Sequence, residues 1–148
     1  MAGIELDPRT KGALVDETYQ TSVPGIFAAG NVLHVHDLVD YVSLEAERAA
    51  DSAAAYLEGR LPVPKIPVRT GGDIGYTVPQ KIAGNRDTSL WFRPRKPLRD
   101  SWVEIWQDGQ RIMRKKYPRL LPAEMETITL PASRLISDSE IKVVTSGE

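Results

Sequence analysis

The chain has 148 residues, 41% of them hydrophobic and 26% charged, with a formal net charge of −1; this is the profile of a soluble globular protein with room for one sizeable core or two small ones. It contains no Cys, which excludes a disulfide, a thiolate nucleophile, Cys-ligated zinc and an iron–sulfur cluster in this stretch and fits a reducing, cytoplasmic compartment. No apolar run approaches the ~20 residues of a membrane span, and Met1 to Asp7 lack the basic and apolar regions of a signal peptide.

Charge and proline are unevenly distributed. Residues 1–60 carry 4 basic against 10 acidic side chains, residues 61–148 carry 15 against 10, and 9 of the 11 prolines follow position 60. Such a shift predicts two modules, 1–60 and 69–148, joined by a Pro-rich linker over 61–68. In the first module, Ile4-Glu5-Leu6 and Ala13-Leu14-Val15 flank turn chemistry and predict a short hairpin over 4–16. Val23-Pro24-Gly25 has Pro and Gly where a type II turn prefers them. Ile26-Phe27-Ala28-Ala29 then predicts a buried strand ending at Gly30-Asn31. Apolar residues at three- and four-residue steps predict a helix from about Leu38 to Glu58, with Val39, Val42, Ala46, Ala49 or Ala50, Ala53 and Leu57 on its packed face. Asp37 or Asp40 would cap it, Glu45 and Glu47 would complement its dipole, and Gly59 would stop it.

The stretch Thr21-Ser22-Val23-Pro24-Gly25-Ile26-Phe27-Ala28-Ala29-Gly30-Asn31 resembles the second FAD-binding motif of the pyridine nucleotide-disulfide oxidoreductase superfamily. That motif is a Thr, a short spacer, an apolar strand and Ala-Gly, usually followed by Asp. The residues before it and the Ala-rich helix after it agree in order and spacing, so the resemblance covers roughly residues 2–60. It implies FAD as cofactor and cofactor-binding roles for Thr21, Ala29, Gly30 and Asn31. Asn31 stands where the family usually has an acid receiving a ribityl hydroxyl, and its side-chain carbonyl can still accept that bond. The resemblance also implies that backbone N–H groups opening the helix, at Val39, Asp40, Tyr41 and Val42, face the flavin, where a helix N-terminus favours the charge gained on reduction. Tyr41 and Val42 complete the cofactor-binding set. It assigns no catalytic residue.

No Gly-x-Gly-x-x-Gly stands between strand and helix; Gly71-Gly72-Asp73-Ile74-Gly75 has the wrong spacing. We therefore expect a C-terminal piece that begins just before the last strand of an FAD domain and is inactive alone. Its partners would be the upstream FAD/NAD(P) domains of the same protein. His34-Val35-His36-Asp37-Leu38-Val39-Asp40 has the ligand types of a metal site, but without a third ligand it reads as a polar loop lining the flavin pocket. A His there is suited to relaying protons or stabilising reduced flavin.

After the linker the period changes to two. Strands are predicted over 74–78, 89–93, 102–106, 111–117, 125–130 and 140–144. Asp108-Gly109 predicts a type I′ hairpin, opposing Gln107 to Gln110, Trp106 to Arg111, Ile105 to Ile112 and Trp102 to Lys115. Val103, Ile105 and Ile112 would be core; Trp102, Trp106, Arg111, Met113 and Lys115 would form the other face, with Arg and Lys over indole. The fold class expected is α+β: a strand/helix remnant of an FAD-binding α/β domain, then a small antiparallel β-sandwich with an immunoglobulin-like arrangement as its candidate form. Gly75-Tyr76-x-Val78-Pro79-Gln80 and Leu121 to Met125 also resemble, more loosely, a C-terminal extension of FAD/NAD(P) oxidoreductases related to glycerol-3-phosphate dehydrogenase operons. No binding signature accompanies the basic residues, so nucleic acid is not expected. The function expected is one wall of the FAD site of an NAD(P)-linked oxidoreductase plus an appended β-domain. The alternative is a β-sandwich interaction module that docks an electron-transfer partner subunit. A helix without its parent sheet further suggests a homodimer formed by helix or strand exchange.

Overall fold

A computed structural model describes residues 3–35 and 39–147. Most of the chain from Ile66 onward lies in two sheets. The strands are β1 (Ile66–Thr70), β2 (Ile74–Val78), β3 (Lys81–Ile82), β4 (Thr88–Pro94), β5 (Leu98–Gln107), β6 (Gln110–Leu120), β7 (Glu126–Leu130) and β8 (Ile141–Gly147). One sheet has the order β3-β1-β8-β5-β6 and the other β2-β4-β7. Their inner faces share one apolar cluster: Ile66, Val68, Val103, Ile105, Ile141 and Val143 from the first meet Ile74, Leu90, Phe92, Ile128 and Leu130 from the second. This is mixed α/β structure, mostly strands, with a two-sheet sandwich.

Three sequence expectations need correction here. The sandwich is not purely antiparallel, because β1 and β8 run parallel with Val68 opposite Ile141. No hairpin joins these two distant segments, so no turn dictates their direction. β1 also begins at Ile66, inside the stretch read as linker. Its Pro67 hid the alternation of buried Ile66 and Val68. Finally, the β5–β6 hairpin keeps its turn, with Asp108 at φ 50° and Gly109 at φ 75° as type I′ requires, but its register slips after two pairs. Ile105 opposes Met113 and Trp102 opposes Lys116. Ile112 is the extra residue of a bulge, which lets both Ile112 and Met113 reach the core. Trp102 is therefore covered by Arg114, 3.9 Å from the ring centroid, and by Lys116, not by Lys115.

The first 60 residues hold one helix, α1 (Val39–Leu57), and a set of turns linked by single bridges such as Leu6 to Ala13, Val15 to Thr21 and Gln20 to Phe27. Gly59, at φ 70°, ends α1: its N–H donates to Tyr56 and that of Arg60 to Ala55, a Schellman cap. The packed face differs from the expected one. Glu45, Ala49 and Ser52 are buried, whereas Ala46 is exposed and Leu57 is 86% exposed. Helical spacing selects a stripe, but only the neighbours decide which stripe is buried. Residues 26–29 are extended but not a buried strand; all four are half-buried and no sheet strand flanks them.

The two halves are joined by specific contacts. The Val15 N–H donates to Gln80 Oε1 at 2.8 Å, and the Gln80 N–H returns to the Val15 carbonyl at 2.9 Å. The Ala83 N–H donates to Glu17 Oε2 at 2.7 Å. Fully buried Val78 packs with Ala13, Val15, Tyr19, Leu33 and Ala49 in a second apolar cluster. The Tyr41 and Trp91 rings meet at 4.9 Å. No described helix is long and apolar enough to cross a membrane.

Candidate functional site

Thr21 opens the candidate site. It is buried, and its backbone N–H donates to the Ile26 carbonyl at 2.8 Å. Its Oγ1 accepts the Val23 N–H at 3.2 Å, closing a local turn. The Val23–Ile26 turn forms as its sequence demands: Pro24 sets one corner, Gly25 takes φ 85°, and the Ile26 N–H donates back to Val23. Beyond it the chain runs extended through Ala29, at φ −153° and ψ 163°, into a short 3-10 turn over Gly30–Val32. Gly30 adopts φ 74°, a conformation that penalises any side chain, and a Cβ there would lie 3.5 Å from Val42 Cγ1. Thus Ala29-Gly30-Asn31 and the first turns of α1 do come together.

Beneath this turn lies a polar chain that the sequence reading did not identify. The Gly30 N–H donates to Glu45 Oε1 at 2.6 Å. The other oxygen, Oε2, is 3.1 Å from His34 Nε2, and both side chains are essentially sealed from solvent, at 2% and 1% exposure. His34 Nδ1 is 3.1 Å from the Tyr76 hydroxyl. Arg93 Nε donates to that same hydroxyl at 3.1 Å, while its two terminal nitrogens donate to the Val35 and Pro122 carbonyls. Glu45 was expected to tune the helix dipole. Its place among Tyr41, Val42 and Ala49, one turn from each, was the signal that it shares the buried stripe. Nothing in the sequence tied His34 to Tyr76 or Arg93, 42 and 59 positions away.

The predicted cofactor residues divide into two groups. Thr21 lines a groove of about 380 Å³ between the 21–24 turn, Tyr56 and the Pro62–Pro64 segment. A larger groove, about 660 Å³, lies among Glu17, Tyr19, Arg48, Pro62 and Arg86. Ala29, Gly30, Asn31, Tyr41 and Val42 line neither: Gly30 is buried, Ala29, Tyr41 and Val42 are half-buried, and Asn31 is exposed beside Val32 and Val35, which are 62% and 68% exposed. For the ribityl and ring end of a flavin the fit is partial. Asn31 is presented at the end of the extended segment, but the Gly30 N–H already serves Glu45. His36, Asp37 and Leu38, including the expected cap and half of the His-x-His pair, lie outside the described residues. So does the side chain of Val39. Among the described residues no three His, Asp or Glu side chains converge as metal ligands.

Two adjacent acids are electrostatically unusual, Asp16 lining the smaller groove and Glu17 the larger. Burial pushes the carboxyl of Asp16 above its ordinary value, against the pull of hydrogen bonds from Thr18 and Gln20. Burial also raises Glu17, aided by the charge of Asp16 and opposed by the Ala83 N–H and Arg86. Glu17 Oε1 is buried without a hydrogen-bond partner. No family model, curated protein or solved structure matches the chain.

Proposed function

We propose that this chain is the C-terminal part of an FAD-dependent, NAD(P)-linked oxidoreductase resembling the pyridine nucleotide-disulfide superfamily. It would supply one wall of the FAD site and an appended β-sandwich, with upstream FAD/NAD(P) domains of the same cytoplasmic protein as partners. The observation that carries the reading is the succession at residues 21–57: a Pro-Gly turn, an extended segment, Gly30 at positive φ, exposed Asn31 and then α1. The open, partly apolar surface around Asn31, Val32 and Val35 supports it, since a half-site needs another domain to cover it. When bound, the flavin supplies hydride and electron transfer. This chain's residues would orient it, Asn31 by accepting a hydrogen bond from a ribityl hydroxyl and the backbone N–H groups opening α1 by favouring charge gained on reduction. The immunoglobulin-like reading of the sandwich rests on its two packed sheets and its β5–β6 hairpin.

The test is to express the chain with its native upstream coding sequence. Flavin absorbance that survives dialysis is expected; a colourless protein would overturn the reading. The isolated chain should show no saturable sub-micromolar binding in an FAD fluorescence titration, since it lacks a phosphate-cradling loop. A second reading, an interaction module for a partner subunit, is favoured by the basic edge strand β6, where Arg111, Arg114, Lys115, Lys116 and Arg119 are exposed. Charge reversal at the exposed Lys115, Lys116 and Arg119 separates the two: the module reading predicts lost partner binding with flavin retained.

A further inference from the structure

We propose that the sandwich is a positioning element for the Gly30–Asn31 turn, acting through the chain Arg93–Tyr76–His34–Glu45. The donors and acceptors can all be satisfied in one order. The Arg93 Nε–H donates to the Tyr76 oxygen at 3.1 Å. The Tyr76 O–H donates to His34 Nδ1 at 3.1 Å. The His34 Nε2–H donates to Glu45 Oε2 at 3.1 Å, and Glu45 Oε1 accepts the Gly30 N–H at 2.6 Å. A guanidinium closes one end and a carboxylate the other, so each link polarises the next in the same sense. The His34–Glu45 link is sealed from water and the Tyr76 and Arg93 links are partly buried, so the chain is stronger than its separate bonds.

The geometry makes this a mechanical link. Arg93 is held in place by the Val35 and Pro122 carbonyls, at 2.6 and 3.2 Å, so its guanidinium straps the segment after His34 to β4 and to the loop before β7. The Tyr76 ring stands edge-on to the His34 ring, 5.5 Å between centroids and 81° between planes, which fixes the direction of its hydroxyl. At the far end, Gly30 sits at φ 74° with its N–H held by Glu45. A shift of β2 or β4 against α1 thereby reaches the peptide that presents Asn31. That this peptide meets a flavin rests on the function proposed above; the coupling itself does not.

The experiment uses this chain, labelled with nitrogen-15. His34 should carry a proton on Nε2 and none on Nδ1, and a proton on Nδ1 would overturn the proposal. Tyr76→Phe removes one hydroxyl and keeps the ring. It should move the His34 Nδ1 resonance and speed exchange of the Gly30 amide about ten-fold, while the core amides of Leu90 and Ile105 keep their rates. Arg93→Lys, which keeps the charge but loses the fork, should act in the same direction. An unchanged Gly30 amide, or one that rises in step with Leu90 and Ile105, would overturn the proposal. In flavin-loaded intact protein, Tyr76→Phe should also shift the flavin midpoint potential. If Gly30 responds in the chain but the intact protein carries no flavin, the coupling stands and the flavin reading falls.

Discussion

At the scale of single residues, two polar side chains, one buried and one half-buried, make opposite predictions. Gln107 is 1% exposed and uses its whole amide: Nε2 donates to the Ser137 and Ser139 carbonyls, and Oε1 accepts the Ile136 and Ser137 N–H groups. Gln107→Leu keeps the bulk but strands those backbone groups, so urea unfolding should show a loss of about 2–4 kcal/mol. Glu17 is the reverse case, a half-buried carboxyl whose Oε1 is buried and unpartnered. Its value is raised by burial, so the native state binds its proton more tightly than the unfolded chain does. Its contribution to stability is therefore full below the ordinary carboxylate range and declines as pH rises through and above it. Glu17→Gln should flatten that decline, seen as a smaller drop in Tm from acid to neutral pH than in the parent. Neither role could be read from the sequence, because Gln and Glu in polar surroundings look solvated until the partner loop is known.

At the scale of elements, local chemistry was legible and tertiary pairing was not. Pro24-Gly25, Asp108-Gly109 and Gly59 all form the turns or caps their own residues require, because positive φ is a property of the residue and its immediate neighbours. Gly59→Ala should therefore cost about 1 kcal/mol in unfolding free energy by removing the Schellman cap's preferred residue. The bulge at Ile112 and the parallel β1–β8 pair depend on neighbours distant in sequence, so alternation alone mispredicted both. Gly12 shows the same limit differently. Its surroundings read as ordinary turn chemistry, yet a Cβ there would fall 2.1 Å from the Leu33 carbonyl oxygen. Gly12→Ala should destabilise the chain more than Gly59→Ala does, in the same denaturant assay, because a backbone carbonyl cannot step aside. β6 also illustrates edge protection: Lys115, Lys116 and Pro118 on an edge strand oppose further strand pairing.

At the scale of the whole molecule, the charge and proline boundary near residue 60 marks a change of architecture, strands after it and one helix with turns before it. It does not mark a break in contact. Val15 and Gln80, Glu17 and Ala83, and the Arg93 strap cross it. Most buried apolar volume lies in the sandwich, so hydrogen exchange should find Ile105 and Val143 best protected and α1 amides opening at lower free energy. The candidate site was half legible for the same reason. Turn, extended segment, glycine and helix are consecutive in sequence, whereas the chain beneath them is assembled from four separate segments. Asn31 offers the most direct measurement of the central claim, because it is exposed and belongs to neither apolar cluster. In the intact protein, Asn31→Asp should keep the flavin, since an acid accepts the same hydroxyl. Asn31→Leu should weaken FAD binding by about 1–3 kcal/mol. Equal flavin retention by the parent and both variants after dialysis would contradict the assignment of residues 21–31 as an FAD motif.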